Sequence, residues 1–144
     1  MGQVATPSED VRRQLGLLYA PVQDELPAVE EILRRELRSQ DARVDEMVKH
    51  GFRLGGKRLR PALVLLAAKA TGEITDDHLV LGAVVEMIHT ATLIHDDVLD
   101  EADMRRHLET ANSRWDNEAS VLLGDFLFTH GFYLASGPGH TVAS

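Results

Sequence analysis

The sequence predicts an all-α fold, a helical bundle, from three observations. Apolar residues recur at helical spacing along almost the whole chain, no segment shows the alternation typical of a half-buried strand, and no internal repeat is evident. The chain has 144 residues, of which 44% are hydrophobic and 26% are charged. A chain of this size and composition can bury one core, so we expect one domain or a piece of a larger one.

The first two helices are predicted from their caps and their apolar spacing. Ser8 or Asp10 can cap a helix that runs through Leu18, and Pro27 can open a second helix that continues to about Leu37. The charged faces of both are interpreted as solvated surfaces with opposite charges one turn apart.

Two more helices follow a break in the pattern over residues 51–56. One is rich in Leu and Ala and covers about residues 58–71, with Pro61 in its first turn. The other is predicted near the end of the chain, over about residues 118–135.

A long central helix is predicted between these two. Asp76 or Asp77 can cap it, and it runs through Asp100. Residues 79–94 are apolar nearly all round, which is typical of the buried helix of a bundle. Two polar residues interrupt this stretch, and it is too short for a comfortable membrane span, so no transmembrane segment is expected.

Composition excludes several classes of function. The formal net charge of -8 argues against nucleic acid as a partner, so any anionic ligand must be held by a local group of cations. The chain has no cysteine, which excludes disulfides and thiol catalysis. Its first ten residues lack the basic and apolar regions of a signal peptide. We therefore expect a cytoplasmic protein.

Residues 96–106 are the most informative segment of the chain. They read Asp-Asp-Val-Leu-Asp-Glu-Ala-Asp-Met-Arg-Arg, a cluster of carboxylates followed by two guanidinium groups. Carboxylates bind hard divalent cations, and arginines bind phosphate oxygens. The segment therefore predicts a site that holds a diphosphate through bridging Mg²⁺.

Helical geometry places three polar groups of this region on one stripe. Asp100 lies roughly 40° and 6 Å from Asp96, and His89 lies about 20° off the same line, roughly 10 Å toward the N-terminus. Asp97 is displaced around the helix, which makes it a flanking residue and a weaker ligand candidate.

The two arginines can serve the same site only if the helix ends before them. A continued helix would rotate Arg105 by roughly 180° from Asp96, so the helix should end between Glu101 and Met104. The alternative is that the aspartates are solvated surface residues at an exposed helix end, with no binding role. Carboxylates at a helix C-terminus oppose the helix dipole, however, and this favours a bound cation.

Residues 55–61 form a second constellation, Gly-Gly-Lys-Arg-Leu-Arg-Pro. Two adjacent glycines let the backbone approach a ligand closely. Lys57, Arg58 and Arg60 are three possible donors to phosphate oxygens at the start of a helix, where amide dipoles also favour anions. The alternative is a basic turn that forms surface salt bridges.

Three ordered segments, residues 55–61, 89–106 and 117–128, resemble the front half of a trans-polyprenyl diphosphate synthase of the octaprenyl or heptaprenyl type. The resemblance covers residues 1–136 and leaves residues 137–144 as a divergent or truncated tail. It implies an incomplete helical bundle around a cavity, a homodimer in the complete enzyme, and Mg²⁺-dependent condensation of isopentenyl diphosphate with an allylic diphosphate.

The resemblance also assigns roles to residues. Asp96 and Asp100 match the first aspartate-rich motif, which binds Mg²⁺, and Asp97 is a weaker candidate. Arg105 matches a residue that faces the allylic diphosphate; with Asp96 and Asp100 it is a catalytic candidate. Four residues match those that hold isopentenyl diphosphate: Lys57, Arg60, His89 and Arg106. The cations stabilise the departing pyrophosphate, and the isopentenyl double bond attacks the allylic carbocation.

Chain length of the product is set in this family by side chains a little more than one turn before the first aspartate. Ala91 and Thr92 stand there and are small. The resemblance therefore implies a medium or long product. The alternative is that Ala91 is small only to allow helix packing.

Two departures from the family pattern qualify the resemblance. Residues 107–110 read His-Leu-Glu-Thr where a Gly and a Pro are common, and the second aspartate-rich motif is absent. Family members are about twice as long, so we expect little or no activity from this chain alone.

Two alternative functions are considered. One is a non-catalytic subunit of a heteromeric prenyl synthase, which would explain the short chain. The other is an HD-type metal phosphohydrolase built on His95 and Asp96, which leaves the basic loop and the paired arginines unexplained.

Overall fold

A computed structural model describes residues 9–54 and 56–137, with only the backbone described for Leu54. The described residues form a helical bundle, which confirms the predicted all-α fold. Its helices are α1 (Glu9–Tyr19), α2 (Leu26–Glu36), α3 (Ala42–Leu54), α4 (Leu59–Thr71), α5 (Asp76–Leu99), α6 (Ala111–Arg114) and α7 (Asn117–Ala135). A 3-10 turn, Ala20–Val22, follows α1, and a two-stranded antiparallel hairpin, β1 (Met104–Arg105) and β2 (Leu108–Glu109), lies between α5 and α6.

Helix α3 corrects the predicted break over residues 51–56. Gly51 and the three residues after it belong to this helix. A Cβ built on Gly51 would lie 3.1 Å from Cδ1 of Ile94, so the glycine lets α3 approach α5 closely. The interruption is confined to the short loop between α3 and α4.

The predicted cap of α5 is also corrected, and one of the two candidates for the first helix is excluded. Thr75, not Asp76 or Asp77, is the N-cap of α5, where its side chain and that of His78 form a capping box. Asp10 lies inside α1, and Ser8 lies outside the described residues.

Helix α5 is the centre of the bundle. It packs most extensively against α7 and also against α4 and α2, and its buried residues include Val84, Met87 and Ile94. Within the described ranges it is the one helix long and apolar enough to cross a membrane by length and composition. The core helix of a helical bundle meets the same criterion. α5 packs against three other helices, as a core helix does.

Helix α7 is apolar on most of its surface but is packed on one side only. Leu123, Gly124, Leu127 and Gly131 are buried, on the side that packs against α5. Six large apolar side chains of α7 are exposed: Val121, Leu122, Phe126, Phe128, Phe132 and Tyr133. We call this set the exposed α7 face.

The chain reverses sharply after α5. The helix ends at Leu99, and Glu101 adopts a left-handed conformation with φ 51°. The hairpin then turns through Arg106 and His107, which have φ values of 50° and 68°. The helix therefore ends before the two arginines, as predicted, but slightly earlier than the predicted range of residues 101–104.

Candidate functional site

The hairpin turn meets the glycine loop that precedes α4. A Cβ built on Gly56 would lie 2.5 Å from Nη1 of Arg106, so the guanidinium group rests directly against this glycine. The absence of a side chain at Gly56 is what makes room for it. Two of the three segments singled out in the sequence are thereby in contact.

His89 lies on α5 beside the same cations. Burial lowers the pKa of its imidazole below the ordinary value of 6.5, and the charges of Arg60, Arg106 and Arg105 lower it further, while Glu86 opposes them. These arginines are therefore close enough to act on the imidazole. Four of the five residues predicted to bind substrate therefore lie in one region, whose positive charge would suit an anion.

Lys57 is the fifth predicted substrate-binding residue, and its side chain is exposed. Its backbone is fixed, since the hydroxyl of Tyr19 donates a hydrogen bond to the Lys57 carbonyl oxygen over 3.1 Å. The ammonium group is thus available at the edge of the loop.

The side chain of Arg58 is paired with carboxylates and is not available to donate to a phosphate. Its guanidinium group turns into the bundle and pairs with Glu30 of α2 and Glu86 of α5. The prediction that all three cations of this loop face an anion is wrong for Arg58.

Asp96 and Asp100 are exposed at the end of α5, whereas Asp97 is buried. Nε and Nη2 of Arg105 donate to Oδ1 of Asp97 over 2.9 and 2.7 Å, and Nε also contacts Oδ2 at 3.1 Å. This bond raises the pKa of Arg105, with smaller contributions from Asp96 and Asp100. Asp97 would have to release Arg105 before it could bind a metal.

The exposed pair of carboxylates fits Mg²⁺ in number and in kind. Among the described residues no group of three or more candidate ligands is assembled. Mg²⁺ commonly takes one or two protein carboxylates and completes its shell with water and phosphate oxygens. Asp96 and Asp100 would hold the ion, and its remaining ligands would come from a diphosphate.

The hairpin is held in place by residues that the sequence did not suggest. Thr110 Oγ1 and Asn112 Nδ2 both donate to the carbonyl oxygen of Ala102, over 2.6 and 3.0 Å. The ring of His50, on α3, is hydrogen-bonded through Nε2 to the carbonyl oxygen of Glu109 over 2.7 Å. These contacts fix the position of Arg105 and Arg106 relative to α5.

The third sequence segment, residues 117–128, acts through helix packing. Its Gly124 leaves room for the ring of His95, which a Cβ would overlap. Nε2 of His95 lies 3.1 Å from the carbonyl oxygen of Val121 and 3.4 Å from a carboxylate oxygen of Asp125. The residue before Asp96 is thus anchored to α7.

The two predicted chain-length residues lie in different surroundings. Ala91 is completely buried in the core, and Thr92 is exposed. Thr92 Oγ1 donates to the carbonyl oxygen of His89 over 2.7 Å. Of the two, only Thr92 borders open space in the described part of the chain, and their role in product length stays a prediction.

The fold and the site define an all-α protein in which a cluster of arginines lies beside a pair of exposed aspartates, an arrangement suited to a diphosphate and a divalent metal. The family model described as Polyprenyl synthetase matches residues 41–141. The chain belongs to the polyprenyl synthetase family. The HD-type phosphohydrolase alternative is therefore not supported.

Individual relatives are similar in sequence and in structure. The chain is 46% identical over 123 residues to a prenyl transferase of Synechocystis sp., covering 83% of this chain and 38% of that one. It is 52% identical over 85 residues to octaprenyl diphosphate synthase of Escherichia coli, covering 59% of this chain and 26% of that one. A polyprenyl synthase from Caulobacter crescentus, solved with calcium and isoprenyl diphosphate, matches with a TM-score of 0.77 at 38% identity over 81% of this chain and 36% of that one. The octaprenyl-type resemblance is confirmed, and the chain spans less than two fifths of each relative.

Proposed function

We propose that the chain carries the isopentenyl diphosphate site and the first metal site of a polyprenyl diphosphate synthase. The complete enzyme condenses isopentenyl diphosphate with an allylic diphosphate. The observation that carries the proposal is the contact of Arg106 with Gly56, close to His89. This contact joins the loop before α4 to the hairpin turn. The Caulobacter relative, solved with calcium and isoprenyl diphosphate, supports it.

Each group has a separate task in this proposal. Lys57, Arg60 and Arg106 bind the oxygens of isopentenyl diphosphate, and His89 donates a hydrogen bond to the same group. Arg105, oriented by Asp97, faces the allylic diphosphate. Mg²⁺ held by Asp96 and Asp100 would supply neutralisation of the pyrophosphate leaving group.

The binding of isopentenyl diphosphate to the chain tests this proposal. Calorimetry should detect binding by the unchanged chain, and Arg60→Gln should weaken it by about tenfold or more, the equivalent of one charge-assisted hydrogen bond. Arg12→Gln is the matched control, because Arg12 is an exposed arginine of α1. Absence of binding, or equal losses in both variants, would contradict the proposal.

The remaining properties of the enzyme are also proposals. We propose Mg²⁺ as the metal, a cytoplasmic location, and a homodimer in which the exposed α7 face is covered. Because the chain spans less than two fifths of its relatives, we expect no turnover of farnesyl and isopentenyl diphosphates by the purified chain. Measured turnover would refute that expectation, and purification with a larger chain would favour the subunit alternative.

We also propose a medium or long product. Ala91 is fully buried, so Ala91→Phe would disturb the core as well as any cavity. Thr92→Phe is the cleaner test, because Thr92 is exposed. In the complete enzyme, Thr92→Phe should shorten the product. An unchanged product length would contradict a role for Thr92 in chain length.

A further inference from the structure

Arg58 stands between two residues of the proposed site, but its guanidinium group is paired with carboxylates. Its Nη1 donates to Oε1 of Glu86 over 3.0 Å, and its Nη2 donates to Oε2 of Glu30 over 3.4 Å, while Nε also pairs with Glu30. Its guanidinium carbon lies 5.8 Å from the centre of the Phe52 ring. One side chain thus links the loop before α4 to α2, α3 and α5.

The backbone of Arg58 is held in an unfavourable conformation. Its φ and ψ are 56° and 35°, in the left-handed region that disfavours residues with a Cβ. Such a conformation persists when the surrounding contacts enforce it. The ion pairs of the side chain supply that enforcement, and Lys57 and Arg60 lie on either side of this residue.

Glu86 is the buried end of this arrangement. Its side chain is 2% exposed, and it lies three residues before His89 on α5. A carboxylate this close to the cluster would repel an incoming diphosphate if it were unpaired. Arg58 neutralises it without occupying the anion site.

We infer that Arg58 and Glu86 are positioning residues for the diphosphate of isopentenyl diphosphate. They fix the loop and the start of α4, so that Arg60 is presented near His89 and Lys57 at the edge of the same loop. The inference rests on the proposed function, since it concerns the same anion site.

Two Arg58 variants test this inference. Arg58→Gly also leaves Glu86 unpaired, but it relieves the left-handed backbone and so offsets part of that loss, and the chain should still fold. The affinity for isopentenyl diphosphate should nevertheless fall about tenfold. Arg58→Lys should not restore affinity, because a single ammonium cannot span two carboxylates as the planar guanidinium does. Arg34→Met is the matched control, since Arg34 is an exposed arginine of α2 paired with Glu31.

A double variant separates positioning from charge balance. Arg58→Met alone leaves Glu86 buried and unpaired and should lower stability in urea. Adding Glu86→Gln removes that charge and should restore much of the stability while the affinity stays low. Recovery of affinity together with stability would overturn the positioning role.

The same titrations distinguish the two proposals. An unchanged chain that does not bind isopentenyl diphosphate contradicts the proposed function and the inference with it. An unchanged chain that binds, together with Arg58→Gly and double variants that bind equally well, contradicts the inference alone.

Discussion

Asp96 and Asp97 are neighbours in the sequence with different surroundings. Successive positions on a helix point about 100° apart, so Asp96 faces solvent while Asp97 faces the hairpin. There Asp97 accepts hydrogen bonds from Arg105 and is 2% exposed. Asp96 is thus accessible from solvent, whereas Asp97 holds the arginine.

Replacing each of these two aspartates separately tests this division of roles. Asp97→Asn should lower the free energy of unfolding by about 2 kcal/mol, because it breaks a buried charge pair with a partly exposed partner. Asp96→Asn should change it by less than about 0.5 kcal/mol and should abolish any effect of Mg²⁺ on diphosphate binding. Urea denaturation and calorimetry measure the two effects. Equal stability of the two variants would contradict the assignment.

The imidazole of His89 provides a test by pH. Its pKa is lowered below 6.5 by burial and then by Arg60, so the folded state binds this proton less tightly than the unfolded chain does. The free energy of unfolding should therefore fall as the pH drops below 6.5 and level off below the folded-state pKa. Isopentenyl diphosphate favours the imidazolium, so it should raise this pKa and bind more tightly as the pH falls through that window. NMR titration of the ring proton, assigned with His89→Gln, measures the pKa of His89 with and without ligand. A pKa that does not change when the ligand is added would contradict the placement of His89 at the diphosphate.

At the scale of elements, the hairpin after α5 brings Arg106 to Gly56 and Arg105 to Asp97. It returns the chain toward the bundle through two non-glycine residues with positive φ, Arg106 and His107. The turn that positions Arg106 therefore has a strained backbone.

Relief of this strain is measurable at His107. His107→Gly should raise the free energy of unfolding by about 0.5–1 kcal/mol, the left-handed penalty less the greater chain entropy of glycine. Arg106→Gly is the matched control: it relieves the same kind of strain but should lose affinity for isopentenyl diphosphate. Urea denaturation and calorimetry measure these effects, and a less stable His107→Gly chain would show that the imidazole makes a necessary contact.

The elements also show what a sequence pattern can and cannot predict. The stripe of His89, Asp96 and Asp100 follows from helical geometry, which is local, and the prediction that the helix runs through Asp100 is within one residue of its end at Leu99. Helix α3 was predictable from the spacing of its apolar residues, Val44, Met47, Val48 and Phe52, but Gly51 suggested a break. A glycine inside a helix has a packing role that only its neighbour on α5 reveals.

Contacts between distant segments could not be predicted in the same way. Arg58 pairs with Glu30 and Glu86, each 28 residues away, and nothing in its immediate sequence distinguishes it from Lys57 or Arg60. The hairpin strands contain two residues each, too few to produce an alternating pattern. Both features depend on tertiary packing.

At the scale of the whole molecule, the site is assembled from three segments around one central helix. α5 carries His89 and the aspartates, the loop before α4 and the first turn of that helix carry Lys57 and Arg60, and the hairpin carries the paired arginines. The exposed α7 face lies on another element that packs against α5. The fold thus brings positive side chains together at one place, although the net charge of the chain is -8.

The contact between Gly56 and Arg106 is the point at which the two basic segments join. Calorimetric titration of Gly56→Ala with isopentenyl diphosphate is therefore the most direct test of the account. The added methyl should displace the guanidinium of Arg106 and lower affinity about tenfold with little loss of stability, because the displaced group is the end of a flexible side chain. The control Gly16→Ala, where a Cβ meets nothing within 4 Å, should bind normally. Normal binding by Gly56→Ala would contradict the assembly of the site from these two segments.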